Sequence, residues 1–195
     1  YEYYKWFYLG DRTGGFGAVY PMFKLDQHVI TIDQWNQVQE RSNIRPVACI
    51  IGGDGAVNRD ATSFVPLVLL NNGQSVIGPV FYHNPVDDGV IGYHQLVQNL
   101  LIYWLEDLLG MFHMGTLRET RLHPYMQRIP VWMRIDSAAP DLIQECRFFF
   151  SDRCSVDAVK KGTVPEMVST VQSAILNQSV IIIDYGGYKS YTKNK

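Results

Sequence analysis

Residues 93–112, YHQLVQNLLIYWLEDLLGMF, carry the strongest periodic pattern in the chain. Apolar side chains recur there at alternating spacings of three and four, which places them on one face of an α-helix. Polar side chains such as Gln98 and Asp107 mostly take the opposite face. Because an apolar helix face must be buried against a second layer of structure, the pattern predicts a core helix over about residues 92–112.

Short apolar runs elsewhere predict the strands of that second layer. Phe64–Leu70 and Ser75–Tyr82 flank Asn72-Gly73, a sequence typical of hairpin turns because both residues tolerate positive φ. Ala138–Ile143 reads as a turn or a short helix. The other expected strands are Tyr1–Tyr8, Ala18–Phe23, Val47–Ile51, Ile129–Ile135, Cys146–Phe150 and Val180–Ile183.

Capping residues predict two further helices. Thr31 or Asp33 offers a side-chain acceptor at the start of Asp33–Arg41, and Thr163 caps a helix over about residues 165–176. Strands and helices do not alternate strictly along the chain. The sequence therefore predicts an α+β fold, in which a mixed, mostly antiparallel sheet packs against the long core helix and against this last helix.

The length of 195 residues corresponds to one domain. We assign residues 1–186 to a single globular α+β domain and residues 187–195, which are rich in Lys and Tyr, to a basic tail. An uncharged apolar stretch of about 18 residues or more is absent from the sequence, and no transmembrane segment is expected.

The composition is poor in charge. Charged residues make up 18% of the chain, whereas an ordinary domain has about 25%. The 17 basic and 19 acidic residues give a net charge of −2, which excludes a strongly basic nucleic-acid binder. Tyr, Asn and Gln take the place of Lys and Glu, a bias typical of contact surfaces between proteins.

The three cysteines are Cys49, Cys146 and Cys154. An odd number argues against a complete disulfide framework, and none of them has the spacing of a zinc site. We therefore expect free thiols in a reducing compartment, the cytoplasm or a virion interior. Neither a metal site nor a cofactor is expected.

A glycine-rich string, GGDGAVN, follows the expected strand Val47–Ile51. It resembles the GGDGT-x-N segment of diacylglycerol and lipid kinases and, more loosely, that of NAD kinases, with Ala56 where threonine is usual. The resemblance implies a site at which backbone N–H groups approach a nucleotide phosphate. The alternative is a turn in which the glycines supply positive φ. The candidate phosphate-binding residues are Gly52, Gly53, Asp54, Gly55 and Asn58.

Arginines and aromatic residues are interleaved in the segment after the core helix. This composition is typical of surfaces that bind single-stranded nucleic acid, although the arginines can equally pair with carboxylates of the same chain. The candidate nucleic-acid-binding residues are Arg118, Arg121, Arg128, Arg134 and Tyr125.

One common nuclease pattern is not met. Many metal-dependent nucleases pair a Pro-Asp dipeptide with a later acidic-x-Lys triplet. Here Glu145 follows Asp141 too closely, and Arg147 stands in place of the lysine.

These observations favour a non-enzymatic structural or interaction module. The chain has no specific catalytic string, its composition is that of a contact surface, and it begins with Tyr1 rather than Met. We expect a subunit or processed fragment of a larger assembly, viral or secretion-related, that binds a protein partner or further copies of itself. Two alternatives stay open: a nucleotide-phosphate-binding enzyme that uses the Gly52–Asn58 loop, and a nucleic-acid-binding module that uses the Arg118–Arg134 stripe.

Overall fold

The computed structural model describes residues 22–41, 43–56, 60–111, 129–160 and 162–184. The strands are β1 (Val29–Thr31), β2 (Pro46–Asp54), β3 (Thr62–Leu70), β4 (Ser75–Ile77), β5 (Phe81–His83), β6 (Val131–Asp136), β7 (Ser155–Val159) and β8 (Val180–Asp184). The helices are α1 (Leu25–His28), α2 (Ile32–Arg41), α3 (Pro85–Asp88), α4 (Tyr93–Leu96), α5 (Ile102–Met111), α6 (Pro140–Phe150) and α7 (Val164–Leu176). A π-helical turn, Val97–Leu101, joins α4 to α5.

The described strands form one mixed sheet in the order β1-β8-β4-β3-β2-β6-β7, and β5 also pairs with β3. The α+β class is confirmed. The antiparallel majority that we expected is not found, because only the three pairings of β3, with β2, β4 and β5, are antiparallel. The four others are parallel: β1 with β8, β4 with β8, β2 with β6 and β6 with β7.

The predicted core helix is confirmed as one continuous helix, here called the central helix, made of α4, the π-helical turn and α5. Val97 and Leu101 lie at the two ends of the π-helical turn, and both are fully buried. The wider turn therefore keeps the apolar face directed at the sheet. The buried side chains of the central helix are Leu96, Val97, Leu101, Trp104, Leu105, Leu108 and Leu109.

Trp104 joins the central helix to the sheet. Its indole is fully buried, and its Nε1–H donates a hydrogen bond to the carbonyl of Pro79 at 2.9 Å. Its ring centroid lies 6.2 Å from that of Phe64 on β3 and 6.0 Å from that of Phe81 on β5. These spacings are typical of favourable aromatic contacts, so the three rings form the centre of the core.

Our prediction of a strand over Cys146–Phe150 is wrong, because this segment belongs to α6. The run CRFFF is apolar enough for a strand, but Phe148 is 75% exposed, as expected of one side of a helix. Pro140 occupies the first turn, where it leaves no backbone donor unpaired. The buried positions of α6 recur at helical spacing: Leu142, Ile143, Cys146 and Phe150.

Other sequence predictions agree with the described elements. The helices expected over Asp33–Arg41 and about 165–176 correspond to α2 and α7, and the Asn72-Gly73 turn joins β3 to β4. The expected strand Tyr1–Tyr8 and the tail over residues 187–195 lie outside the described residues. None of the helices in the described ranges is both long and apolar enough to span a bilayer.

The three cysteines are free thiols inside the core. Burial raises the pKa of Cys49 to about 12, with a smaller contribution from Cys154. Burial likewise raises the pKa of Cys154 to about 12 and raises that of Cys146. The folded chain therefore keeps these thiol protons at pH values where the thiols of an unfolded chain, with a pKa of about 8.5, have lost them.

We expect the free energy of unfolding to fall as the pH rises above about 9. The contribution of each buried thiol to the free energy of unfolding is complete below the thiol pKa of the unfolded chain. Above that pH it declines by about 1.4 kcal/mol per pH unit, until the thiol pKa of the folded chain is reached. Urea titrations between pH 8 and pH 11 measure this slope. Cys49→Ala should show a shallower slope than the unmodified chain, and equal slopes for the two would contradict the account.

Candidate functional site

Two carboxylates lie at the ends of neighbouring parallel strands, β2 and β6, in the interior of the sheet. β2 and β6 run in parallel, and the last pair in their register is Gly53 with Ile135. Asp54 and Asp136 come next on the two strands, and each is the last residue of its strand. Asp54 is exposed and Asp136 is half-buried. The register thus brings two acidic side chains from distant parts of the sequence to one edge of the sheet.

Strand alternation also puts the two carboxylates on the same face. On β6, Val131, Met133 and Ile135 are buried against the core, whereas the intervening residues are half-buried. On β2, Ile51 is fully buried in the same way. Asp54 and Asp136 lie out of phase with these buried residues. They therefore share the side of the sheet that faces away from the hydrophobic core.

The turn that follows β6 holds Asp136 in place. Its Oδ1 accepts a hydrogen bond from the backbone N–H of Ala138 at 3.0 Å, and its carbonyl accepts one from Ala139 at 3.0 Å. The N–H of Ser137 donates to the carbonyl of Val159 on β7 at 2.9 Å. This short turn leads directly into α6, where Asp141 is exposed in the first turn.

Close packing holds the backbone that follows Asp54. A Cβ atom at Gly55 would lie 2.5 Å from Cδ2 of Leu142 and 3.1 Å from Cβ of Ala139, both at the start of α6. The next residue, Ala56, exchanges two hydrogen bonds with the fully buried Thr62 hydroxyl, at 3.1 Å and 2.7 Å. The end of β2 is therefore fixed against the element that follows Asp136.

Tyr93, the first residue of α4, approaches the end of β2 from the core side of the sheet. Its hydroxyl is 3.2 Å from the position that a Cβ atom at Gly55 would take. Burial raises the pKa of Tyr93, and the negative charges of Asp141 and Asp54 raise it further. The phenol therefore keeps its proton and is a neutral hydrogen-bond donor.

The donor set at this edge fits a hard divalent cation. Carboxylate oxygens are the ligands that Mg²⁺ and Mn²⁺ prefer, and Mg²⁺ is commonly held by one or two carboxylates together with water and a substrate phosphate. Within the ranges that the structure describes, no group of three or more His, Cys, Asp and Glu side chains is arranged to hold a metal ion. The described site is thus a pair of carboxylates, Asp54 and Asp136, rather than a closed metal cage.

The predicted phosphate site depends on a glycine-rich turn, and the structure has part of a strand at these positions. Gly52, Gly53 and Asp54 lie inside β2, so the expected turn at these positions is wrong. Gly73 and Gly89 are the described glycines with positive φ, which shows that the glycine string does not supply it. The next described element is β3, a strand, so no helix N-terminus follows to bind a phosphate. Asn58 lies outside the described residues.

The structure describes one member of the predicted arginine stripe. Arg134 lies on β6, two residues before Asp136, and its guanidinium forms an ion pair with Asp157 of β7. Both side chains of this pair are partly exposed, 38% and 45% respectively. The other candidates, Arg118, Arg121, Tyr125 and Arg128, lie outside the described residues.

Sequence reasoning missed Asp136. The signal was present, because PVACIIGGD and VWMRID are both apolar runs that end in an aspartate. Carboxyl ends of parallel strands meet at one edge of a sheet, which is where ligands bind in many α/β proteins. The sequence does not predict the parallel pairing of β2 with β6, and without that pairing nothing places the two aspartates close together.

The fold is similar to that of solved viral proteins. The large terminase of a thermophilic bacteriophage, solved in complex with ATP-γ-S, aligns with a TM-score of 0.54 and 16% identity over 85% of this chain and 34% of that one. The magnesium-bound large terminase nuclease of phage G20c aligns with a TM-score of 0.49 and 14% identity, over 87% and 76% of the two chains. The human cytomegalovirus terminase nuclease domain aligns with a TM-score of 0.48 and 9% identity, over 83% and 79%.

The first of these alignments, with a TM-score of 0.54, shows a shared fold, and at 16% identity it shows no more. No protein-family model matches the chain, and no curated protein matches it in sequence. The chain spans about a third of the ATP-γ-S-bound large terminase, 34% of its length. Our expectation of a non-enzymatic structural or interaction module is nevertheless wrong. The fold is found in a large terminase, which agrees better with the nucleic-acid-binding alternative.

Proposed function

We propose that this chain is a metal-dependent phosphodiesterase domain that cleaves nucleic acid at the Asp54–Asp136 pair. The observation that carries the proposal is the placement of these two carboxylates at the ends of neighbouring parallel strands, on the face away from the core. The fold shared with the ATP-γ-S-bound large terminase supports it. The proposal departs from our expectation that no metal is bound.

A cation would offset the negative charge at this site. Two carboxylates side by side repel each other and repel the anionic backbone of a nucleic acid. Asp54 and Asp136 would hold a Mg²⁺ or Mn²⁺ ion, whose two positive charges would neutralise those of the two carboxylates. When bound, the ion supplies Lewis-acid stabilisation of the charge that develops on the phosphate. Nucleic-acid binding at this edge should therefore depend on the metal.

The surrounding residues restrict the movement of the Asp136 carboxylate and of the backbone that follows Asp54. Asp136 is oriented by the N–H of Ala138, and the backbone beyond Asp54 is fixed by Thr62 and by the packing of Gly55. Ligand side chains that are already in position lose little conformational entropy when the cation binds. The arrangement suits a reaction in which the protein positions a phosphate and stabilises charge.

Arg134 is the described residue of the arginine stripe that we propose contacts the nucleic-acid backbone. Its ion pair with Asp157 is partly exposed, and such pairs contribute little free energy. The guanidinium can exchange that carboxylate for a phosphate, which arginine often binds through two parallel N–H groups. The contact would lie two residues from Asp136, on the same face of β6.

The test is a cleavage assay on the unmodified chain. Fluorescently labelled single-stranded DNA, duplex DNA and RNA are incubated with Mg²⁺, Mn²⁺ or excess EDTA, and the products are separated by gel electrophoresis. We expect cleavage of at least one substrate with Mg²⁺ or Mn²⁺ and none with EDTA. Intact substrates under all conditions would contradict the proposal.

A further inference from the structure

Tyr93 extends from the central helix to the end of β2. It is the first residue of α4, and the helix begins there because the N–H of Leu96 donates to the carbonyl of Gly92 at 2.9 Å. Leu96 and Val97, one turn further on, are buried in the core and fix this end of the helix. The position of the Tyr93 ring is thereby set by the core rather than by a loop.

Gly55 provides the space for the Tyr93 hydroxyl. A side chain at Gly55 would meet the hydroxyl at 3.2 Å as well as Leu142 and Ala139. The hydroxyl consequently lies between the end of β2, which carries Asp54, and the start of α6, which follows Asp136. A single phenol thus reaches the junction of the two elements that present the carboxylates.

The chemistry of this group complements that of the carboxylates. Carboxylates accept hydrogen bonds and bind cations, but they cannot donate to a phosphate. A phenol has an ordinary pKa of about 10, so it is protonated at neutral pH and can donate. A neutral donor adds a contact to an anionic ligand without competing with the aspartates for the cation.

We propose that the Tyr93 hydroxyl donates a hydrogen bond to the backbone phosphate of the nucleic acid that is cleaved at Asp54 and Asp136. This inference rests on the proposed function and adds a substrate contact to it. Like Arg134, Tyr93 can bind the phosphate without also binding the metal. Its role is to hold the phosphate beside the carboxylate pair.

Tyr93→Phe tests the proposal, because it removes the hydroxyl and keeps the ring. Hydrogen bonds to charged groups contribute enough that we expect kcat/KM for cleavage to fall about 10- to 100-fold. The affinity for Mn²⁺ without nucleic acid, followed by the paramagnetic signal of the free ion, should change less than about twofold. Tyr103→Phe is the matched control, since Tyr103 is exposed on α5, and it should cleave normally.

The possible outcomes separate this inference from the proposed function. Normal cleavage by Tyr93→Phe would overturn the inference and leave the proposed function standing. An equal loss of Mn²⁺ affinity and of cleavage would also overturn it, because Tyr93 would then act through the metal site. If the unmodified chain cleaves nothing, the proposed function fails. The inference is then judged by Mn²⁺-dependent binding of duplex DNA, and equal affinities of the unmodified chain and Tyr93→Phe would overturn it.

Discussion

Asp54→Asn should lower the rate of metal-dependent cleavage by about two to three orders of magnitude, the range seen when one preorganised electrostatic contact of an active site is lost. The amide keeps the shape of the side chain but removes the charge that holds the cation. Asp136→Asn should have a similar effect. Since both residues act on one ion, the double variant should be little worse than either single variant. The measurement is the single-turnover cleavage rate at saturating Mn²⁺.

The control for this prediction is Asp26→Asn. Asp26 is an exposed aspartate on α1, away from β2 and β6, and its substitution should leave the rate unchanged. Asp54→Asn and Asp136→Asn should unfold at about the same urea concentration as the unmodified chain, because the amide keeps the size of the carboxylate and an oxygen that can accept the hydrogen bond from Ala138. If Asp54→Asn and Asp136→Asn cleave as fast as Asp26→Asn, the site has been assigned to the wrong residues.

Trp104→Ala should lower the free energy of unfolding by about 3–5 kcal/mol, the usual cost of removing a large aromatic side chain from a core. The substitution leaves a cavity between the central helix and the sheet, and the contacts with Phe64 and Phe81 are lost. It also leaves the carbonyl of Pro79 without its donor. Urea unfolding followed by far-UV circular dichroism measures the change.

Trp104→Phe separates the contribution of the ring contacts from that of the hydrogen bond to Pro79. The smaller ring keeps much of the contact with Phe64 and Phe81 but cannot donate to Pro79, so about 1–3 kcal/mol should be lost. A loss below about 1 kcal/mol for Trp104→Ala would mean that the central helix is not held to the sheet through this residue.

Much of the fold could be predicted because its signals are local. The spacing of apolar residues in the central helix and the capping residues of α2 and α7 depend on neighbours within a few positions. The run Cys146–Phe150 was misassigned because four of its five residues suit a strand as well as a helix. Whether this run forms a strand or a helix depends on which of its side chains the sheet covers. The exposure of Phe148 is not evident from the sequence alone.

The site could be predicted only in part. The glycine string indicates Asp54 and the arginine stripe indicates Arg134, but their relation to Asp136 depends on the parallel register of β2 with β6. That register joins segments that are far apart in the sequence, and no pattern within either segment indicates which strand it pairs with.

The glycines beside Asp54 have a structural role that the resemblance to lipid kinases did not suggest. A Cβ atom at Gly53 would lie 2.5 Å from Cε1 of Phe64, and one at Gly55 would collide with Leu142. Close packing of the backbone is therefore the reason for glycine at both positions.

The central claim is that Asp54 and Asp136 together hold a divalent cation. Its most direct test is an anomalous difference map from crystals of this chain soaked in Mn²⁺, compared with crystals of Asp136→Asn treated in the same way. We predict one strong peak in contact with the carboxylates of both Asp54 and Asp136, and a weak or absent peak in the variant. A map without a peak at these carboxylates, or with a peak that persists unchanged in Asp136→Asn, would contradict the account.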